Sequence, residues 1–280
     1  MKWRESMKNN LVIIFSILFL TLIAATCNSD PSKNLKNGEV SMIDSDVKIT
    51  ILYDNYVFEE NTKADWGFSC LIEGPEKTIL FDAGTDGDIL MGNIRALNVD
   101  LSEVDCIVIS HDHRDHSGGL DDVLRAVDET DIFLPSTFNV NHIPSLQNRS
   151  VHVKLVNDPE EICAGVYLTG ELGSQIKEQS LILNKKDGAV IVTGCSHPGI
   201  VHIIKTSKSI VENNIQLVVG GFHLLRHSDE EMNAIIKELK ELNVQNIGPT
   251  HCTGERQIEL FKEEFSDGFV QLGTGRVLEF

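Results

Sequence analysis

The segment 110–119 constrains the fold of this chain more than any other. It reads Ser-His-Asp-His-Arg-Asp-His-Ser-Gly-Gly and follows an apolar run of β type over 106–109. In extended backbone alternate side chains point the same way, so His111 and His113 can converge on one cation. A strand before the run and a glycine turn after it supply the structural context that a ligand cluster of this kind needs.

The same segment offers ligands for a second cation. Asp115 and His116 lie where the backbone turns, and they can face an ion beside the first. Neutral imidazoles together with a carboxylate suit zinc, manganese or iron better than calcium. A solvated loop without metal is the alternative, and the break at Gly118-Gly119 argues against it. We therefore predict two divalent ions, zinc first, with manganese, iron or magnesium as alternatives.

The N-terminus has the pattern of an export signal. Basic residues precede a short apolar stretch over 11–25, which is typical of a secretory signal and short for a spanning helix. The stretch ends in Ala-Ala-Thr-Cys, similar to a bacterial lipoprotein signal with Cys27 as the lipid attachment site. We predict a lipoprotein-type signal over 1–27 and a polar tether over 28–46. A plain signal peptide, an uncleaved anchor and a buried helix are the alternatives.

This signal predicts an exported protein. It would be anchored at the outer face of the cytoplasmic membrane or in the cell envelope, through the N-terminal segment or its lipid. The formal net charge of −18 argues against nucleic-acid partners, whose phosphates need a basic surface. We expect a small-molecule substrate instead. The cysteines after Cys27 match no disulfide framework, and most should be small core residues.

From residue 47 onward, short apolar runs alternate with amphipathic stretches. The clearest helix is predicted over 229–242, where Ser228 and Glu231 can form a capping box and an apolar stripe implies packing on a sheet. Strands dominate before residue 185, and strands alternate with helices after it, with a closing pair near 268–272 and 276–280. We predict an α/β fold over 47–280, a four-layer αββα sandwich.

Further candidate ligands follow other predicted strands. His197 and His251 each stand between a strand and a helix start, and we predict both as metal ligands. His223 follows two glycines and is a candidate for metal or substrate contact. Cys195 is either a ligand near a bridging position or a small packing residue. Glu171 could bind metal or substrate, or neither.

Asp82 ends a strand and precedes a glycine. We predict that it accepts a hydrogen bond from a metal-binding histidine and orients it, with a simple turn as the alternative. Cys252 would point away from His251 into the core if the chain is extended there. The remaining histidines lack such a setting, and we predict them as surface or core residues: His142, His152, His202 and His227.

The histidine and aspartate pattern of 110–119, with His197 and His251 further along, resembles the metallo-β-lactamase superfamily. The resemblance covers nearly all of 47–280 and implies an αββα sandwich with the site at the edge between two sheets. The first metal would be held by His111, His113 and His197, and the second by Asp115, His116 and His251.

Finer motifs are similar to the branch named for 7,8-dihydropterin-6-methyl-4-(β-D-ribofuranosyl)aminobenzene-5′-phosphate synthase, a transferase of methanopterin biosynthesis. They lie at 81–84, 194–199, 220–224 and 249–254. Two departures stand out. Typical hydrolases of the superfamily carry a third histidine where Glu171 stands and a bridging aspartate where Cys195 stands.

From these residues we expect a metal-dependent hydrolase that activates water at a dinuclear site, with Asp115 accepting a proton. Its substrate would be a small ester, lactone or phosphoester. A dihydropterin synthase-like transferase on the same fold is one alternative. A surface lipoprotein that binds metal or ligand without turnover is another.

Overall fold

The computed structural model describes residues 40–280 except positions 75, 128, 148 and 149. In that part of the chain, thirteen strands form two mixed sheets. The first sheet contains β1 (Lys48–Tyr53), β2 (Ser69–Glu73), β3 (Thr78–Phe81), β4 (Cys106–Val108), β5 (Thr130–Pro135), β6 (Val151–Val156) and β13 (Val277–Glu279). The second contains β7 (Glu160–Cys163), β8 (Val166–Leu168), β9 (Leu181–Lys185), β10 (Gly188–Thr193), β11 (Ile215–Gly221) and β12 (Val244–Thr250). The strand orders are β13-β1-β2-β3-β4-β5-β6 and β12-β11-β10-β9-β8-β7.

Helices cover the outer faces of both sheets. They are α1 (Gly87–Ala96), α2 (Arg114–Ser117), α3 (Leu120–Ala126), α4 (Ile200–Val211), α5 (Asp229–Glu241) and α6 (Glu255–Phe265). α1 and α3 pack on the first sheet, and α4, α5 and α6 pack on the second. The predicted four-layer αββα sandwich is confirmed.

The alternation of side chains along each strand builds this layering. In β4, Cys106 and Val108 enter the core between the sheets, while Ile107 faces the helices. In β10, Val192 enters the central core and Ile191 faces the helices. Successive side chains of a strand point to opposite faces, so a strand covered on both sides must be apolar throughout.

Parallel pairing decides where the loops gather. β3, β4 and β5 run parallel in the first sheet, and β10, β11 and β12 run parallel in the second. The carboxyl ends of parallel strands meet at one edge, where ligand-binding loops collect in α/β folds. The segments that follow β3, β4, β10, β11 and β12 are those singled out in the sequence.

The structure moves the start of the domain. Residues 40–46, assigned to the predicted tether, pack on the second sheet: Ile43 is 2% exposed and pairs with Lys185. The Lys185 ammonium also donates to the Ser45 carbonyl at 2.9 Å. The apolar residues of this stretch, Val40, Met42 and Ile43, are too few to show a period that would reveal the packing.

Two strand assignments also change. β7 was not predicted because Glu160 and Glu161 make it polar, which suits its position at the edge of the second sheet. The predicted strand over 268–272 does not form; a 3₁₀ turn over Ser266–Gly268 precedes a single bridge between Ile247 and Phe269.

The predictions for the signal over 1–27, including Cys27, lie outside the described residues. The same holds for the tether as far as residue 39. Among the helices that are described, none is long and apolar enough to cross a membrane.

The capping box of α5 provides a test of the fold. The Ser228 hydroxyl accepts from the Glu231 backbone N–H at 3.3 Å, and the Glu231 carboxylate accepts from the Ser228 N–H at 2.8 Å. We expect Ser228→Ala to lower the free energy of unfolding by about 1 kcal/mol, because a first-turn N–H loses its acceptor. Urea unfolding followed by circular dichroism measures this. Ser209→Ala, inside the exposed last turn of α4, is the control and should change stability by less than about 0.5 kcal/mol; equal effects of the two substitutions would contradict the capping role.

Candidate metal centre

Five loops converge at the edge where the two sheets meet. Three loops belong to the second sheet and two to the first. They bring together the side chains of Asp82, His111, His113, Asp115, His116, Cys195, His197, His223, His251 and Cys252. Except for Cys252, which was assigned to the core, every one of these is a residue that the sequence singled out.

Asp82 ties together the loops of the first sheet. Its buried carboxylate accepts from the Ser110 backbone N–H at 2.7 Å and from the Ser110 hydroxyl at 2.8 Å. The same carboxylate lies 2.7 Å from His116 Nδ1. The contact leaves His116 Nε2 pointing toward the donor cluster, which is the geometry that an orienting role requires. Gly194 of the second sheet packs directly against this group, and a Cβ there would collide with the Ser110 hydroxyl.

Glu178 plays the corresponding role in the second sheet, where it holds the loop after β10. The sequence did not predict it. The side chain is 1% exposed and accepts from the backbone N–H groups of Cys195, Ser196 and His197 at 2.8–2.9 Å. One carboxylate therefore holds the whole loop after β10. No signal marks it in a single sequence, because a glutamate in a polar turn before a strand is usually solvated.

Gln179, the next residue, joins the two sheets at the site. Its side-chain amide donates to the carbonyls of Ile109 at 2.8 Å and Phe133 at 3.2 Å, both in the first sheet. Its backbone N–H donates to the Ser110 carbonyl at 2.9 Å. Glu178 and Gln179, which are consecutive, thus fix the ligand loop of the second sheet and its distance from the first sheet.

Left-handed backbone recurs at the strand ends around the site. Asp82, Ser196, His223 and His251 all have φ between 52° and 60°. Non-glycine residues rarely adopt this region, and holding them there costs of order 1 kcal/mol each. The loops keep these conformations because buried hydrogen bonds, such as those to Asp82 and Glu178, over-determine them.

The described donors form three overlapping groups, within each of which the ligand atoms lie no more than 4.8 Å apart. The first contains Asp115, His116, Cys195 and His251; the second contains His111, Cys195 and His197; the third contains Cys195, His223 and Cys252. The Cys195 sulfur belongs to all three groups. It stands 3.2 Å from His116 Nε2.

Most predicted ligands fall into the arrangement that the sequence suggested. The first group contains the three residues assigned to the second metal, Asp115, His116 and His251. His113 lies beside the second group, with Nδ1 3.0 Å from His111 Nε2. These roles as metal ligands stay predictions, since proximity alone does not prove coordination.

The structure separates Glu171 from the donor groups, and it corrects the expectation for Cys252. Glu171 joins none of the donor groups: its carboxylate accepts from the backbone N–H and hydroxyl of Thr137, each at 2.7 Å. Cys252 is buried, as expected, but its sulfur lies in the third donor group rather than in the core alone. The alternation argument fails because His251–Thr253 is a 3₁₀ turn and not extended backbone.

The electrostatic environment keeps several imidazoles neutral. Burial and neighbouring histidines lower the pKa of His197 to about 3, and the same causes lower the pKa of His111. His116 differs: burial opposes its charge, but the Asp82 carboxylate outweighs burial and raises its pKa to about 9. Neutral imidazole is the form that binds metal, so metal binding has to release a proton from His116.

The donor set fits a transition metal. The Nε2 atoms of His197 and His251 are buried and have no hydrogen-bond partner, which is costly unless a ligand completes them. Imidazole, thiolate and carboxylate together suit zinc, iron or cobalt rather than calcium or magnesium. Magnesium, an alternative in the sequence prediction, is disfavoured by the sulfur of Cys195. The residues present therefore fit one or two bound transition-metal ions.

A tryptophan and an asparagine support the centre from outside the predicted set. Trp66 Nε1 donates to Asp115 Oδ2 at 2.9 Å, and its ring centroid lies 5.0 Å from that of His251. Asn55 Oδ1 lies 3.0 Å from His251 Nδ1, and Asn55 Nδ2 donates to the His251 carbonyl at 3.1 Å. An isolated tryptophan in a polar loop was the one signal that could have marked Trp66.

Comparison with known proteins agrees with this geometry. Residues 67–135, which include the first cluster of ligands, match the metallo-beta-lactamase superfamily. In this segment the chain is similar to the metallo-β-lactamase superfamily.

Two relatives resemble this chain over most of its length. The 7,8-dihydropterin-6-methyl-4-(beta-D-ribofuranosyl)-aminobenzene-5′-phosphate synthase of Methanocaldococcus jannaschii is 29% identical, over 84% of this chain and 97% of the relative. The crystal structure of Tm1679, described as a metal-dependent hydrolase of the beta-lactamase superfamily, is also 29% identical. It has a TM-score of 0.73 over 84% of this chain and 99% of its own.

A more distant structure shares the fold of this chain. The YhfI protein of Bacillus subtilis has a TM-score of 0.64 with 15% sequence identity, covering 84% of this chain and 99% of that protein. The sequence resemblance, both to the superfamily and to the dihydropterin synthase branch, is thus confirmed.

Glu178 can be tested against Glu171 as a matched control. Both oxygens of Glu178 accept hydrogen bonds, whereas Glu171 uses Oε1 alone. We expect Glu178→Gln to lower the free energy of unfolding by about 2–4 kcal/mol, because the new amide N–H₂ faces the His197 N–H and leaves buried donors unpaired.

Urea unfolding gives the stability of both variants, and metal analysis gives their zinc content. Glu178→Gln should also bind less zinc, since the loop carrying Cys195 and His197 loosens. Glu171→Gln should keep both properties within error, because an amide oxygen can replace Oε1. A Glu178→Gln protein as stable and as metal-rich as the Glu171→Gln protein would refute the role of Glu178.

Cobalt spectroscopy tests the central position of Cys195. Its pKa is raised by the hydrogen bond with Cys252 and by burial, so the thiol loses its proton only to a bound cation. We expect the cobalt-loaded protein to show a near-ultraviolet sulfur-to-cobalt charge-transfer band, and Cys195→Ser to lose most of it. Cys70→Ser, in the buried strand β2, is the control for a thiol outside the centre. A band unchanged by Cys195→Ser would show that Cys195 is not a ligand.

Proposed function

We propose that this domain is a metal-dependent hydrolase of a small ester, lactone or phosphoester. The observation that carries the proposal is the pair of buried, unpartnered imidazole nitrogens, on His197 and His251, beside the carboxylate of Asp115. When bound there, the metal supplies Lewis-acid activation of water and stabilises charge on substrate oxygen. The proposal is supported further by the similarity to Tm1679.

Asp115 is placed to handle a proton in this reaction. Its Oδ2 lies 3.3 Å from His251 Nε2 and 3.8 Å from His116 Nε2, and the side chain is 20% exposed. Burial would raise the pKa of Asp115, but the neighbouring imidazoles of His251 and His116 lower it overall. The carboxylate is therefore ionised at neutral pH and can accept a proton at the solvent-facing side of the centre.

The other residues bind and orient. Trp66 fixes the rotamer of Asp115 through its indole N–H, and Asn55 fixes the ring of His251. Asp82 holds His116 in one orientation. In the hydrolysis of an ester, water supplies the oxygen of the new acid, the bond from the acyl or phosphoryl centre to the leaving oxygen breaks, and the leaving alkoxide takes up a proton.

A substitution inside the motif tests the chemistry. The zinc-loaded protein is assayed with bis(4-nitrophenyl) phosphate, 4-nitrophenyl butyrate and γ-butyrolactone. We expect Asp115→Asn to lower kcat on the accepted substrate by about a hundredfold or more, because the proton acceptor is lost. Asp112→Asn is the control from the same motif, since Asp112 accepts from the Asn139 N–H and belongs to no donor group.

The control substitution should leave kcat within about twofold of the unchanged protein. Retained activity in Asp115→Asn would contradict the role of Asp115. Absence of turnover on every substrate, with metal bound, would favour a protein that binds metal or ligand without catalysis.

A transferase is the second candidate. It is supported by the similarity to the dihydropterin synthase of Methanocaldococcus jannaschii over 84% of this chain, at the same identity as the hydrolase relative. The two candidates differ in the acceptor, which is water in one and an organic nucleophile in the other. Turnover in water enriched in oxygen-18 separates them: a hydrolase incorporates the label into its product, and a transferase does not.

A further inference from the structure

A cleft of 450 Å³ opens directly beside the metal centre. His251 lines the cleft and also belongs to the first donor group, so the cleft and the centre share a wall. The volume lies within the range of roughly 300–1,000 Å³ that is common for small-molecule sites. A molecule bound in the cleft would have one end against the residues that carry the proposed chemistry.

Large apolar side chains line this cleft while remaining open to solvent. Trp66 is 48% exposed and Leu225 is 55% exposed, and Tyr56 beside them is half-buried. Exposed apolar groups gathered next to a polar centre indicate a surface that a ligand covers.

The indole is also held in a fixed orientation. Its N–H is committed to Asp115, and its ring contacts the ring of His251. A fixed aromatic face with free surface is a stacking platform, since flat rings pack on it with little loss of side-chain entropy.

The polar lining argues against an anionic ligand. Arg256 is paired with Asp229, at 2.5 Å, and Glu255 adds a carboxylate to the rim. α6 begins at Glu255 without a side-chain cap, so its first backbone N–H groups can donate to an acceptor atom. The carboxylate of Glu255 in that first turn already complements the helix dipole. The lining therefore favours an uncharged ring that carries acceptor atoms.

We propose that this cleft binds a flat, uncharged aromatic or heteroaromatic ring of the substrate, with Trp66 and Leu225 contacting the ring. Trp66 would then link recognition to chemistry, because the same side chain contacts the ring and fixes Asp115. This inference deepens the proposed function and rests on it only for the reacting end of the substrate; binding of the ring can be measured without turnover.

Fluorine NMR tests the proposal on the full chain. The sequence has two tryptophans, so Trp3→Phe leaves Trp66 as the single site for 5-fluorotryptophan. The probes are quinazolin-4-one, a flat neutral ring with acceptor atoms, and its fully saturated decahydro analogue. We expect quinazolin-4-one to shift the resonance in a saturable manner and to bind about three- to tenfold more tightly than the saturated analogue, because only the flat ring stacks.

A matched pair of leucine variants locates the binding. Leu225→Ala should weaken quinazolin-4-one binding by about fivefold, since apolar contact area is lost. Leu155→Ala, at a leucine 57% exposed on β6 and outside the lining, should leave binding unchanged.

Absence of a saturable shift, equal affinity for the two probes, or equal effects of the two leucine variants would each overturn the proposal. Ring binding without any turnover would leave this inference standing and remove the proposed function. Turnover without ring binding would support the proposed function and overturn the inference about the cleft.

Discussion

The structure depends on one buried carboxylate, that of Asp82. It accepts two hydrogen bonds from Ser110 and contacts His116, and it does so without exposure to water. A buried carboxylate is costly unless its partners are all in place. The ends of β3 and β4 and the short helix α2 must therefore take up one arrangement together, which places the first ligands before any metal binds.

Glu178 and Gln179 extend this constraint to the second sheet. Glu178 accepts the backbone N–H groups of the loop that carries Cys195 and His197, and Gln179 spans the gap to the first sheet. The two halves of the centre are thus set relative to each other by hydrogen bonds inside the protein. Among the imidazoles of the centre, the buried Nε2 atoms of His197 and His251 have no hydrogen-bond partner, and a bound cation would complete them.

The place of Cys195 in all three donor groups gives this centre its own character. A sulfur shared by three donor groups favours softer metals than an oxygen in that position would. It also places a thiol between the two proposed ions, with Cys252 as a close neighbour. The chemistry that the domain supports therefore depends on Cys195.

The fold and most of the site could be predicted from sequence because both rest on local patterns. Short apolar runs predicted the strands and the stripe over 229–242 predicted a helix, while His111 to His116, His197 and His251 stand at strand ends where ligands gather. Glu178 could not be predicted, because its importance comes from burial that only the packed sheets create. Cys252 was misassigned because a 3₁₀ turn replaced extended backbone, and Ile43 because the few apolar residues near it show no period.

Anomalous diffraction from zinc-loaded crystals tests the account most directly. The shared-sulfur centre predicts two metal peaks at the junction of the sheets. One should be bounded by Asp115, His116 and His251 and the other by His111 and His197, with the Cys195 sulfur within bonding distance of both. A single peak, or metal bound away from Cys195, would contradict the shared-sulfur centre.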